Sequence, residues 1–282
     1  MEQQATPQAP AFGRKIFFLT PSFSVRTHVI TFLKVLEYEV YTISDYRRAK
    51  SYLRIHHDAI LYINTEAQMN LPSWINFIKA IKEDAVFNST IIGILNEHLS
   101  PVELRTLTEN KHIEAGVFHV EGQFKAIIPP LAKKLDELGA KGRRQYVRTI
   151  CMSDSSARFL WIQDGKMFTA QIVDISTASV AVLLTAKEVP FVQGRSEIFA
   201  TIQLGQKQIQ TRAKPLVVKP SGNNFAAVFM INEQTPQESI QIIREYVFDT
   251  LEVAMLKTVE GLAIDKTNYA VAAEDPRKNV FI

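Results

Sequence analysis

From Lys15 onward, short apolar runs alternate with longer segments whose apolar residues recur every three or four positions. The runs KIFFLT (15–20), EVYTIS (39–44), DAILYIN (58–64), STIIGILN (89–96) and AGVFHV (115–120) predict strands. Between them, 24–38 places Val25, Val29, Phe32, Leu33 and Leu36 at helical spacing, and 72–84 does the same with Trp74, Phe77, Ile78 and Ile81. A helix over 45–57 has Asp45 near its start, and one over 100–110 opens on a Ser100 cap with Pro101 in the first turn. A last helix over 122–139 contains Pro129 and Pro130, which should kink it or delay its start. Five βα units with nearly continuous apolar strands predict a parallel sheet covered on both faces, a flavodoxin-like doubly wound domain over 14–138.

After Gly139 the period changes. Strand-like runs recur at 145–152, 159–164, 166–176, 179–186, 196–204, 207–219 and 223–232, separated by turn signals such as Asp164-Gly165, Gly194, Gly205 and Ser221-Gly222. This spacing predicts a small antiparallel barrel or sandwich. A helix over 235–255 follows, opening on Thr235-Pro236 with Ile240, Ile243, Val247 and Leu251 along one face. The fold expected is therefore α/β plus all-β. Residues 1–13, rich in Gln, Ala and Pro at their start, are expected to be a flexible tail, and 257–282 a weakly patterned C-terminal tail.

A chain of 282 residues favours two domains, each large enough to bury its own core. The formal net charge of +3 does not suit a general polyanion binder, so any anion site must arise from local clustering. The single cysteine, Cys151, excludes an internal disulfide framework and a multi-cysteine metal site. No stretch approaches the roughly 18 apolar residues of a membrane span, and the N-terminus lacks the basic start and apolar run of a signal peptide. A cytoplasmic protein without membrane insertion is expected.

Two features of the second half carry chemistry. GAKGRRQYVR (139–148) holds Lys141, Arg143, Arg144 and Arg148 with no acidic residue, just where a linker should meet the first barrel strand. VDISTAS (173–179) is an Asp-x-Ser turn between two hydrophobic strands. Alone, each has an ordinary explanation: a solvated basic linker, and turn residues whose side chains bond nearby backbone. Together they form Arg-x-x-x-Arg before a strand and Asp-x-Ser about 25 residues later.

In this combination the chain resembles the PilZ family over roughly residues 142–256. That family pairs Arg-x-x-x-Arg with Asp/Asn-x-Ser-x-x-Gly on a six-stranded barrel closed by a helix. The resemblance implies a cyclic di-GMP effector in which Arg144 and Arg148 clamp the ligand, Asp174 takes guanine donors and Ser176 adds a hydroxyl contact. Arg143 implies room for a second ligand molecule. The chemistry suits the residues, since a guanidinium binds phosphate through two parallel N–H bonds and can equally read the O6/N7 edge of guanine. Ser179 stands where the family has Gly; its Cβ costs affinity if the position requires φ > 0. The alternative is a PilZ-fold interaction scaffold that no longer binds cyclic di-GMP.

The first domain resembles the response-regulator receiver fold without its phosphorylation site. Thr20-Pro21-Ser22 stands where an acidic pair is needed, Asn64 where the phosphorylated Asp belongs, and Val120-Glu121-Gly122 where Lys-Pro is expected. Mg²⁺ usually needs one or two carboxylates. A pseudo-receiver that offers its surface to an unidentified protein partner is expected, in motility or surface-behaviour signalling. His56-His57 with Asp58 lacks a third nearby metal ligand, and Asp154-Ser155-Ser156 lacks a positioned His or a nucleophile elbow. Neither a metal, an enzyme activity nor a nucleic-acid partner is expected.

Overall fold

Strands whose every residue is apolar need cover on both faces, and the first half of the chain supplies it. In the computed structural model, β1 (Ile16–Leu19), β2 (Val40–Ile43), β3 (Ile60–Ile63), β4 (Ile91–Asn96) and β5 (Val117–His119) pair in parallel in the order β2-β1-β3-β4-β5. This is the flavodoxin-like doubly wound order. Every residue of β1 and β3 is buried. The structure describes residues 12–120, 122 and 124–270; nearly all of the expected N-terminal tail, Glu121 and the end of the expected C-terminal tail lie outside the described residues.

The helices are α1 (Thr31–Val35), α2 (Tyr46–Ile55), α3 (Leu71–Glu83), α4 (Pro101–Thr108) and α5 (Phe124–Glu137). Their starts follow local chemistry. The Asp45 carboxylate accepts from the Arg47 N–H, Asn70 Oδ1 from the Ser73 N–H, and Ser100 forms a capping box with Glu103. Two details depart from the sequence pattern. The expected helix over 24–38 opens with a π-helical stretch, Val25–Ile30, before α1. Helix α5 is helical from Phe124 through both prolines, so its start is not delayed. The backbone bonds lost at Pro129 and Pro130 are offset by burial of Ile127, Ile128, Leu131 and Leu135 along one face.

The second half forms β6 (Arg148–Ile150), β7 (Arg158–Gln163), β8 (Lys166–Ser176), β9 (Ser179–Leu184), β10 (Ile198–Leu204), β11 (Lys207–Ser221) and β12 (Asn224–Ile231). Antiparallel pairing runs β8-β7-β10-β11-β12-β9 and closes by β9 returning to β8, giving a six-stranded barrel. Strand β6 extends the edge of β8 beyond the end of β7. Closure removes the open edges that a sheet of this size would otherwise expose. Inward positions, among them Phe159, Trp161, Ile172, Ile175, Val182, Ile202 and Phe229, fill the barrel. Helix α6 (Gln237–Glu260) contributes Ile243 and Val247 to the same core.

The chain falls into two compact units. One holds residues up to Arg144 together with those from Val259 onward; the other is Gln145–Thr258. The segment after α6 is thus part of the parallel-sheet unit, where it lies along α2. Ser51 Oγ donates to the Ala263 carbonyl (3.0 Å), the Asp265 N–H to the Arg47 carbonyl (2.9 Å), and Lys50 pairs with Asp265 (3.2 Å). Tyr269, only 5% exposed, packs edge-on against Phe77 of α3 and Tyr46 of α2.

Candidate ligand-binding site

The geometry of the Asp-x-Ser turn is set by one extra residue. In β8, Ala170 and Ile172 face the barrel interior, and strict alternation would turn residue 174 inward next. A bulge between Ile172 and Asp174 opposite β9 inserts Val173, which reverses the phase. Ile175 then takes the interior position, fully buried, and Asp174 faces outward. The Val173 carbonyl accepts from the Cys151 N–H (2.7 Å), continuing the pairing of β8 with β6.

Strand β6 pairs with this outward stretch, Arg148 opposite Ser176 and Ile150 opposite Asp174. Arg148 and Asp174 are therefore diagonal neighbours, and Arg148 Nη1 donates to Asp174 Oδ1 at 3.4 Å. That is longer than the 2.7–2.9 Å of a tight charge-assisted bond. Both side chains keep solvent access, 37% and 26%. Such an exposed pair contributes little stability, so both groups can take up another partner at small cost. Ile150, 73% exposed and directly opposite Asp174, adds an apolar surface that no motif in the sequence signals. Only the pairing register reveals it.

Ser176 has a different environment. Its side chain is buried, and its Oγ accepts from the N–H groups of Ala178 (3.3 Å) and Ser179 (3.1 Å). The Ser179 Oγ lies 3.2 Å from it. The hydroxyl thus organises the β8–β9 turn in the usual manner of a Ser side chain. Ser179 opens β9 and pairs with Met230 of β12. Among the described residues, positive φ outside glycine occurs at Thr20, Glu37, Gln68 and Asp164, so the backbone at Ser179 makes no demand for glycine.

The other two arginines lie in the segment between α5 and β6, with Arg144 at the end of the parallel-sheet unit. Arg143 is exposed. The Arg144 guanidinium carbon lies 4.3 Å from the centre of the Phe12 ring, within cation–π range. Arg144 precedes Arg148 by four residues, a chain reach of about 14 Å at most.

At the carboxyl ends of β1, β3 and β4, where a doubly wound sheet usually binds its ligand, amides and hydroxyls close on one another. Asn64 Nδ2 donates to the Thr20 carbonyl (3.0 Å), Asn96 Nδ2 to Thr65 Oγ1 (2.7 Å), and the Thr65 N–H to Asn96 Oδ1 (3.0 Å). Thr20, Asn64, Thr65 and Asn96 are all buried. Among the described residues no cluster of three His, Cys, Asp or Glu side chains could hold a metal ion. His56 stacks on Phe17 (6.0 Å), and burial together with nearby Lys15 lowers its pKa to about 4, keeping it neutral at pH 7. Burial pushes the Cys151 thiol up to about 11, which leaves it unreactive. The Tyr246 hydroxyl of α6 donates to Asp154 (2.7 Å), which accounts for that carboxylate structurally. No described helix is long and apolar enough to cross a membrane.

No protein-family model and no curated protein matches the sequence. Solved structures do. The Bacillus subtilis inhibitor of motility MotI/DgrA is 20% identical over 39% of this chain and 51% of its own, with a TM-score of 0.32. The PilZ domain of Escherichia coli YcgR with c-di-GMP is 14% identical over 43% of this chain and 99% of its own, at 0.35. The Borreliella burgdorferi PlzA protein in complex with c-di-GMP is 21% identical over 43% of this chain and 48% of its own, at 0.29. The match thus spans about half the length of the Bacillus and Borreliella proteins.

Proposed function

We propose that the barrel is a PilZ-type domain that binds cyclic di-GMP, with Arg148 and Asp174 at the centre of the site. One observation carries this reading: the bulge at Val173 turns Asp174 outward beside Arg148, on a face where neither group is committed to the fold. Arg148 supplies paired N–H donors for a phosphate or for the O6/N7 edge of guanine, and Asp174 supplies acceptors for guanine N1–H and N2–H. Arg144, within chain reach, completes the clamp, and Arg143 adds positive charge for a second ligand molecule. Ser176 acts as a positioning residue, because its hydroxyl holds the turn that carries Asp174. Ser179 leaves the site functional, since neither its backbone nor its hydroxyl opposes the turn.

On this reading the protein is an effector. Ligand capture orders the segment between α5 and β6 and alters what a protein partner meets, the pseudo-receiver surface included, in motility or surface-behaviour signalling. Calorimetric titration of the full chain with cyclic di-GMP tests it. Saturable binding is expected, nearly abolished in Arg144→Ala, Arg148→Ala and Asp174→Ala. A wild-type chain that shows neither heat nor a thermal shift overturns the effector reading and leaves an interaction scaffold. Affinity for generic oligonucleotides that collapses steeply with salt identifies a nucleic-acid binder instead.

A further inference from the structure

The segment Phe12–Arg14 is built against the start of the basic segment. The Arg14 N–H donates to the Gly139 carbonyl (3.0 Å), and Gly13 touches backbone: a Cβ there would lie 2.0 Å from the Ala140 oxygen and 2.8 Å from Lys141 Cα. Only glycine fits this approach, and the constraint is space rather than φ. On the other strand of the contact, Ala140 is buried and the Lys141 ammonium lies 4.4 Å from the ring centre of Tyr38, whose hydroxyl donates to Asp136 (2.7 Å). The base of the arginine segment is therefore held, and Phe12 is carried to Arg144.

We infer that Phe12 is a positioning residue of the ligand site, holding the face of the Arg144 guanidinium so that its in-plane N–H donors stand ready for an anion. The inference rests on the cyclic di-GMP reading for the identity of that anion. Stacking uses the flat face of a guanidinium, whereas bidentate phosphate binding uses its edge, so the two contacts are compatible. A free arginine side chain loses rotamer entropy when it is fixed, and part of that loss is taken here before ligand arrives. Phe12 keeps 60% of its surface exposed, so folding of the unit does not depend on its burial.

Two measurements on the full-length chain test this. In calorimetric titrations with cyclic di-GMP, Phe12→Ala and Gly13→Ala are expected to weaken binding by about two- to fivefold, the equivalent of one exposed cation–π contact. Phe12→Trp should restore wild-type affinity. In an Arg144→Lys background, which lacks the planar group, Phe12→Ala should cost less than in wild type. Unchanged or tighter binding in Phe12→Ala overturns the inference, because Phe12 would then be a bystander or would hold Arg144 away from ligand. The second measurement uses no ligand. Trypsin cleavage after Arg144 should be faster in Phe12→Ala and Gly13→Ala than in wild type, and equal rates overturn the inference. If the wild-type chain binds no cyclic di-GMP, the functional reading fails on its own, and the cleavage rates still decide whether Phe12 holds Arg144.

Discussion

At the scale of single residues, Ser179 decides whether the turn after β8 can serve a ligand. A glycine would be required there only if the backbone were left-handed or the space too tight for a Cβ. Ser179 instead opens a strand without positive φ, and its hydroxyl lies against Ser176. Ser179→Gly is therefore expected to change cyclic di-GMP affinity by no more than about twofold; a gain of tenfold or more, about 1.4 kcal/mol, would show that the side chain obstructs the site. The charged residues proposed for this site stand out in the sequence because Arg-x-x-x-Arg and Asp-x-Ser are contiguous patterns. Phe12 and Ile150 were not. Their relevance comes from a backbone contact across more than a hundred residues and from strand register, and neither leaves a local trace.

Among elements, the segment after α6 changes the picture most. Its sequence has weak periodicity because it forms neither helix nor strand, yet backbone and side-chain bonds to α2 and the buried Tyr269 fix it in place. Removing a buried aromatic side chain costs about 3 kcal/mol or more in a core. Tyr269→Ala should lower the unfolding midpoint of the parallel-sheet unit accordingly and raise hydrogen exchange in α2 and α3, leaving the barrel strands as protected as before. Asp265 adds a pH dependence. Hydrogen bonds from Tyr269 and Thr267, together with Lys50, outweigh burial and lower its pKa from 3.8 to about 2. A carboxylate with a depressed folded pKa stabilises above its unfolded pKa and loses that contribution as pH falls through the folded one. Wild type should therefore be more stable than Asp265→Asn at pH 5, with the gap closing between about pH 4 and pH 2 in thermal melts.

For the whole molecule, the parallel-sheet unit and the barrel unit differ in what the ends of their strands offer. At the carboxyl ends of the parallel strands, Asn64 is bonded to the Thr20 backbone and Asn96 to Thr65. Restoring a carboxylate alone would put an acid beside a carbonyl oxygen without the acidic pair that binds Mg²⁺. Asn64→Asp is thus expected to gain no phosphoryl mass after incubation with acetyl phosphate and Mg²⁺, as read by intact-protein mass spectrometry. A stoichiometric gain would show that the chemistry is one substitution away. The chain passes between the units twice, at Arg144–Gln145 and at Thr258–Val259. On the proposed function, a response to ligand at the barrel has two covalent routes to the parallel-sheet unit, and the segment bearing the arginines is only one of them.

The sequence by itself determined the fold class, the order of the elements and the arginine and Asp-x-Ser motifs. These depend on short-range periodicity and turn chemistry, which neighbouring residues express directly. Tertiary structure decided three further matters: that Asp174 faces outward, that Ser176 serves the turn, and that Phe12 and the segment after α6 belong to the parallel-sheet unit. Each depends on a partner far along the chain. A single inserted residue at Val173 reverses a strand's faces only because β9 fixes the register opposite it.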